Sequence, residues 1–439
     1  MHSVLKRLVD VRPEETRALL WSFAYFFCVL SGYYVLRPLR DEMGIAGGTR
    51  NLPWLFTATF ATLLIAAPLL AAVVARLPRR RFIPVVYLFF VANLAVFWML
   101  LQSGWQTQIV ARAFFVWITM YSVFTVSVFW SFMADLYSSA QSKRLFGFIA
   151  AGGSVGTLLG PLITRQLAEP LGPVNLLLIA AGFLILAIIC AAGLEVAAAD
   201  VRAASPGFVA ASAERERQAV GGGVMDGFAL LFRSRYLGGI ALWVFLLSLC
   251  QTFLYLQQAE LVALASDDPA ARTKIFATID LAAGILTLVM QLLATGKLIT
   301  RFGTGPAAAF LPFVFIVGFL VLAVQPMLLA VVVFQAAQRA AQFGIANPAR
   351  ESLFTVVTRE EKFKAKNLVD GAVFRGGDAL NAWLFKLLAA FVALPALAVA
   401  TAVVAGGWLL LALSLGRSQE RKARAAVSAS PVASTGGRP

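Results

Sequence analysis

The chain has 439 residues, of which 60% are hydrophobic and only 13% are charged. Soluble proteins of this length carry nearer a quarter charged residues, and apolar runs of membrane-spanning length recur from end to end, so composition argues against a globular domain with a single anchor. The formal net charge of +15 fits basic cytoplasmic loops better than nucleic-acid binding, and we expect no nucleic-acid partner.

The apolar runs predict an all-α polytopic membrane protein with about twelve transmembrane helices in two six-helix halves. Each run is about 20 residues long, which matches a hydrocarbon core of about 30 Å. The backbone groups of a span need internal partners, which favours helices. The predicted spans are 18–36, 53–75, 82–101, 109–135, 146–168, 174–195, 237–260, 273–295, 306–325, 327–347, 368–394 and 396–415.

Lys and Arg cluster in alternate loops, which predicts that both termini are cytoplasmic. The stretch RLPRRR at 76–81 is one such loop, and the Arg350–Lys366 segment is another. The first outer loop is an exception, with Arg37, Arg40 and Arg50. We expect a multi-pass protein of the bacterial inner membrane.

A small, polar, Gly-rich segment divides the chain. It predicts an N-terminal half at 1–196, a flexible cytoplasmic linker at 197–227, a C-terminal half at 228–416 and a disordered cytoplasmic tail at 417–439. Phe228–Leu237 fits either an interfacial helix or an extension of the seventh span equally well.

The two halves carry traces of a common loop. Gly296–Gly303 reads GKLITRFG and resembles the G-x-L-x-D-R-x-G loop of the major facilitator superfamily, with Thr300 in place of the aspartate. The loop after the second span, AAVVARLPRRR, is a more degraded version in the equivalent place. Related six-helix repeats with a solute site at their interface are the organisation this implies.

Residue types exclude several chemistries. His2 is the only histidine, and Cys28, Cys190 and Cys250 lie in apolar runs, so we expect no metal site, disulfide or nucleophile-base pair. No GxxxxGK[ST] motif is present, so we expect no ATP hydrolysis. We predict no catalytic residues and no cofactor, and therefore not an enzyme. Gly152, Gly153, Gly156 and Gly160 favour close helix packing over a phosphate loop.

Polar side chains recur at helical spacing within four spans of the second half. Because residues three, four, seven and eleven apart share a helix face, these stripes predict a water-filled cavity. The candidate solute-binding residues are Gln335, Arg339, Gln342, Arg375 and Lys386, with Arg40 and Arg112 from the first half. Alternatively, Arg375 and Asp378 neutralise each other and the glutamines hold helices together. The candidate coupling or gating residues are Asp135, Asp280 and Asp378, with Asp280 either a proton carrier or a partner of Arg339.

Three stretches resemble the ADP/ATP translocases of plastids and intracellular bacteria. They are Arg350–Phe354 followed by KFKAK at 362–366, then YVLRPLRD at 34–41, and Phe129-Trp130 through Lys143–Phe146. The resemblance implies a twelve-helix major-facilitator fold that exchanges nucleotides, with essential basic residues in the first and eleventh helices. Arg40 and Arg375 stand at or near those positions. Two acidic positions of the family are replaced, around 117–119 and at Tyr255.

The leading hypothesis is a monomeric secondary transporter that moves an anionic nucleotide-like or phosphorylated solute by alternating access, as an ADP/ATP antiporter does. A second hypothesis is a proton-coupled major-facilitator exporter that uses Asp280 or Asp378. A third is a non-transporting membrane scaffold or sensor.

Overall fold

The computed structural model describes residues 11–76, 79–203, 233–293, 301, 303–358, 361, 365–366 and 368–429. Several predictions lie partly outside these residues. They concern the linker at 197–227, the segment Phe228–Leu237, the loop Gly296–Gly303, the KFKAK motif and the last ten residues of the tail.

The described residues form thirteen α-helices, and no strand occurs among them. Each apolar run satisfies its backbone groups within its own helix, as a lipid environment requires. The helices are α1 Thr16–Ala46, α2 Leu52–Arg76, α3 Arg79–Gln102, α4 Thr107–Leu136, α5 Ser139–Leu171, α6 Leu176–Ala203, α7 Arg235–Ala265, α8 Pro269–Leu293, α9 Thr304–Val324, α10 Leu328–Ala341, α11 Asn347–Leu353, α12 Phe374–Ala389 and α13 Leu394–Ala429.

The chain divides into two compact units. The first comprises 1–221 with 258–285, and the second comprises 222–257 with 286–439. Because the boundaries fall inside α7 and α8, each of these helices contributes residues to both units.

Within the first unit, α1 packs against α4, α5 and α6. The ring of Phe26 stacks on Phe129 with centroids 4.3 Å apart. A hydrogen-bond chain crosses the same core: the Tyr25 hydroxyl donates to the Tyr87 hydroxyl at 2.7 Å, which donates to the Thr125 carbonyl at 3.1 Å. This chain satisfies polar groups that would otherwise be costly to bury.

Glycines bring α5 against α1. A Cβ atom on Gly156 would lie 2.8 Å from the Phe27 carbonyl oxygen, and one on Gly160 would lie 2.8 Å from the Ser31 carbonyl oxygen. The close helix contact predicted from these glycines is therefore confirmed.

In the second unit, α9 packs along α13. A Cβ atom on Gly305 would lie 3.3 Å from the Gly416 Cα atom, so the two backbones nearly touch. Trp408 of α13 meets Trp243 of α7 with ring centroids 5.3 Å apart, and Phe315 of α9 with centroids 5.7 Å apart. These buried rings form the core of this unit.

The prediction of an all-α polytopic membrane protein is confirmed. Ten helical segments among the described residues are long and apolar enough to cross a membrane. The ninth and tenth predicted spans are separate helices, because α9 ends at Val324 and α10 begins at Leu328.

Two predicted limits need correction. α1 runs to Ala46 instead of ending near residue 36, so Arg37 and Arg40 lie within a helix and not in the first outer loop. α13 continues to Ala429, so residues 417–429 are helical where disorder was predicted. This extension is rich in Ala, Arg and Lys, which are strong helix formers.

Candidate functional site

Two arginines of α1 are held inside the first unit. The Arg37 guanidinium lies 3.5 Å from the Asp280 carboxylate of α8. The Arg40 guanidinium lies 4.1 Å from the centre of the Phe115 ring and 3.1 Å from the Asp41 carboxylate. Each cation thus has an acidic or aromatic neighbour, which lowers the cost of placing it in an apolar helix.

A second ion pair joins the same two helices. The Glu42 carboxylate accepts from Arg272 Nε at 2.7 Å and from Arg272 Nη2 at 2.8 Å. This is a bidentate contact, the strongest geometry for an arginine and a carboxylate. The Glu42 side chain is fully buried. Two residues further along α8, Lys274 contacts Glu169 of α5 at 2.7 Å in a more exposed pair.

Two other predicted residues of the first unit lie near helix ends. Arg112 donates from Nε to the Gly47 carbonyl at 2.8 Å, just past the end of α1. This contact ties α4 to the end of α1 and gives Arg112 a local structural role. Asp135 is half-buried in the last turn of α4.

In the second unit, α10 and the first residue after it carry a row of buried polar side chains. Gln335, Gln338, Arg339 and Gln342 are all buried, with Arg339 only 7% exposed. Gln342 Oε1 accepts from Gln338 Nε2 at 2.9 Å and from Gln251 Nε2 of α7 at 2.6 Å. The row therefore faces protein, and the contact between Gln251 and Gln342 is of the kind expected if the glutamines hold helices together. The water-filled cavity stays a prediction.

A π turn follows this row. Residues Gln342–Ala346 form one wide turn between α10 and α11, and a second wide turn, Val369–Val373, precedes α12. Such turns occur mostly as single insertions within helices and frequently mark functional sites. Both flank the segment that resembles the ADP/ATP translocases.

Ion pairs also hold that segment. Arg350 lies 2.9 Å from the Asp370 carboxylate in the second π turn. Lys366, the last residue of the KFKAK motif, lies 2.8 Å from Glu351. These contacts connect α11 to the approach to α12.

The predicted stripe on α12 splits between two environments. Arg375 lies 3.7 Å from Asp378, whose Oδ1 accepts from the Ser248 hydroxyl of α7 at 2.7 Å. Lys386 is exposed in the last turn, with its ammonium 5.1 Å from the centre of the Trp383 ring.

The structure thus brings some predicted residues together. Arg375 lies beside Asp378, and the α10 row holds Gln335, Arg339 and Gln342. Asp280 has an ion pair with Arg37. Sequence periodicity did not predict the contributions of Glu42, Arg272, Ser248 and Thr252, because their partners lie more than 100 residues away. For Glu42 and Arg272, the sequence did offer one signal, which is a charged residue inside or at the end of an apolar run.

A model of the TLC ATP/ADP transporter family matches residues 89–418, which is most of the chain. The chain belongs to the TLC ATP/ADP transporter family. Among its relatives is ADP,ATP carrier protein 1 of Chlamydia muridarum (strain MoPn / Nigg), 23% identical over 93% of this chain and 90% of that protein. The protein of the same name from Chlamydia trachomatis serovar D is 22% identical over the same shares.

Solved structures agree on the fold of this TLC ATP/ADP transporter family member. A mutant of the nucleoside transporter NupG matches with a TM-score of 0.61 and 14% identity, over 93% of this chain and 99% of that one. A bacterial homologue of the human lysosomal transporter Spinster, solved inward-facing and unoccupied, matches with a TM-score of 0.51 and 13% identity, over 94% and 99%. The predicted major-facilitator fold is confirmed.

Family membership confirms the predicted class of function. The protein is a nucleotide-type secondary transporter of a multi-pass membrane fold and not an enzyme.

Proposed function

We propose that this transporter exchanges ATP and ADP across a bacterial inner membrane by alternating access, as a single chain with both termini in the cytoplasm. Antiport of nucleotides is supported by the names of the chlamydial relatives, which are ADP,ATP carriers. The orientation is supported by the basic loops, whose cations remain on the cytoplasmic side of membranes.

The observation that carries this proposal is the set of arginines on apolar helices. Arg339 is buried on α10 beside three buried glutamines, and Arg375 is half-exposed on α12. Arg40 adds a half-buried guanidinium on α1. An arginine at membrane depth is costly and typically serves a solute path. Its planar group donates hydrogen bonds in pairs, which suits phosphate oxygens.

The neighbouring amides suit the rest of a nucleotide. Gln335, Gln342 and Gln251 offer both donors and acceptors near Arg339, and an amide can pair with the donor and acceptor edge of a purine. We assign phosphate contact to Arg339 and Arg375 in the second unit and, separately, to Arg40 in the first unit, and base or ribose contact to the amides. Lys386 and Arg112 contribute longer-range positive charge under the same proposal.

Exchange in proteoliposomes tests this assignment. Purified protein is reconstituted into liposomes loaded with ADP, and uptake of labelled ATP is followed with empty liposomes as the control. We expect uptake only from loaded liposomes. Absence of ATP uptake together with counterflow of another solute would remove the nucleotide claim.

Single variants then test the residues. Removing a charge-assisted hydrogen bond costs about 1.5–3 kcal/mol, so Arg339→Ala should lower apparent ATP affinity by about tenfold to a hundredfold. Arg421→Ala is the matched control, because Arg421 is exposed on the extension of α13. Equal effects of both substitutions would contradict a specific role for Arg339.

A further inference from the structure

A cluster of oxygen-bearing side chains lies between α7 and α12 in the second unit. Ser248 and Thr252, one turn apart on α7, face Asp378 and Asn381, one turn apart on α12. All four residues are buried. A carboxylate, two hydroxyls and an amide therefore share one water-poor location inside an apolar bundle.

Both hydroxyls of α7 lie within 3.5 Å of the Asp378 carboxylate. The Ser248 hydroxyl donates to Asp378 Oδ1 at 2.7 Å, and the Thr252 hydroxyl lies 3.5 Å from the same oxygen. A Cβ atom on Gly377 would lie 2.9 Å from the Ser248 oxygen, so α12 approaches α7 as closely as a glycine permits. The side chains are held by two packed helices and not by a loop.

The side-chain oxygen of Asn381 has no hydrogen-bond partner among the described residues. Asn381 is fully buried, and its Nδ2 donates to the Ser248 oxygen at 3.3 Å. Its Oδ1, on the same carbon atom as Nδ2, is buried and accepts no hydrogen bond from the described residues. A buried carbonyl oxygen left unsatisfied costs about as much as a lost hydrogen bond and calls for an explanation.

The donor set selects a class of ligand. Oxygen ligands suit hard cations, whereas soft or borderline metals prefer sulfur and imidazole. The described residues contain no cluster of acidic, histidine and cysteine side chains fit for a metal ion. One carboxylate among neutral oxygens matches a monovalent cation better than Mg²⁺ or Ca²⁺, which draw on several carboxylates or phosphates.

Arg375 bears on the charge of this cluster. Its guanidinium lies 3.7 Å from Asp378 Oδ2, beyond hydrogen-bond distance, and its side chain is 38% exposed. Asp378 Oδ2 therefore lies near this guanidinium, and Oδ1 lies near the two hydroxyls.

We propose that Asp378, Ser248, Thr252 and Asn381 form a binding site for Na⁺. Arg375 and Na⁺ compete for the charge of Asp378. An anionic solute that draws Arg375 away from Asp378 strengthens Na⁺ binding, so transport of the anion is linked to the sodium gradient. This linkage rests on the proposed function, whereas Na⁺ binding itself does not.

Thermal unfolding of the detergent-solubilised protein tests the site without any nucleotide. The Tm is measured against increasing NaCl, with choline chloride keeping ionic strength constant at fixed pH. Because a ligand that binds only the folded state raises Tm by mass action, we expect a saturable rise with Na⁺ and none with choline. An equal response to both salts, or a response to pH alone, overturns the proposal.

Two variants with opposite expected signs sharpen the test. Ser248→Ala should weaken apparent Na⁺ affinity at least tenfold, while Ser414→Ala, an exposed serine of α13, should leave it unchanged. Arg375→Gln removes the competing cation and should strengthen Na⁺ affinity severalfold while lowering nucleotide exchange. Since a misfolded variant does not gain affinity, a gain would establish the competition, and unchanged or weaker binding in Arg375→Gln would refute it.

Nucleotide exchange in liposomes separates this proposal from the previous one. Failure of exchange with a retained Na⁺ response removes only the nucleotide assignment. Exchange that proceeds identically in sodium and choline media, with no Na⁺ response of the Tm, removes only the sodium site.

Discussion

The bidentate pair between Glu42 and Arg272 permits a quantitative prediction. Arg272→Gln leaves the Glu42 carboxylate, whose side chain is fully buried, without its counter-ion. Breaking one side of a buried pair costs about 3–5 kcal/mol, because an uncompensated charge remains. With an unfolding entropy of about 2.1 cal/mol/K per residue over 439 residues, this corresponds to a Tm lower by about 3–5 °C.

The complementary change should cost less. Glu42→Gln leaves Arg272, which is slightly more accessible and keeps a contact of 3.3 Å with the Ser266 carbonyl. The double variant with glutamine at both positions carries no buried charge, and replacing both partners of a buried pair is often nearly neutral. We therefore expect Arg272→Gln to lower Tm most, Glu42→Gln to lower it less, and the double variant to lower it least.

The assay is thermal unfolding in detergent, with Lys274→Gln as the matched control. Lys274 lies on the same helix and pairs with Glu169, but their side chains are 41% and 51% exposed. Exposed pairs contribute about 0–1 kcal/mol, so this control should shift Tm by about 1 °C at most. The reasoning would be refuted if the Tm loss of the double variant equalled the sum of the two single losses. It would also be refuted if Lys274→Gln lowered Tm as much as Arg272→Gln does.

Three further substitutions test packing and polar contacts by the same Tm measurement. Gly156→Leu should lower the free energy of unfolding by about 1–3 kcal/mol, because the larger side chain overpacks against α1. Gly147→Ala should leave it unchanged, because the space around its Cβ position is open. Gln251→Leu should cost about 0.5–1.5 kcal/mol, because Gln342 Oε1 loses the donor at 2.6 Å and keeps Gln338, and a shift no larger than that of an exposed Gln→Leu change would contradict this. Tyr25→Phe should cost about 0.5–1.5 kcal/mol by removing a donor from the buried hydroxyl chain, and unchanged stability would show that this chain contributes nothing.

Much of the fold was predictable because a bilayer imposes a length on each apolar run. The separate helices on either side of Gln325 and Pro326 and the glycine contact of α5 followed from residue type and spacing alone. The C-terminal part of α1, beyond residue 36, could not be predicted in this way. Its charges interrupted the apolar run, and only distant partners such as Asp280 and Arg272 make a buried continuation tolerable.

The candidate site was predictable in part for a similar reason. Helical periodicity identified Gln335, Arg339 and Gln342 as one face of α10, and all three are buried together. Periodicity describes one helix at a time, however, so it could not supply Ser248 as the partner of Asp378. It also treats a helix as uniform along its length. On α12 the stripe from Asp378 to Lys386 begins buried and ends exposed in the last turn.

The two wide turns beside α11 and α12 bear on how this chain is compared with its relatives. Each holds one residue beyond what a regular helix needs over the same rise, and tightening it to a regular turn would rotate one side against the other by about 100°. A relative that lacks the extra residue can form a regular turn there with both helix ends in place, so that each later position is filled by a residue one place further along its sequence. Gaps of a single position at 342–346 and 369–373 therefore decide which arginines of two such chains are truly equivalent.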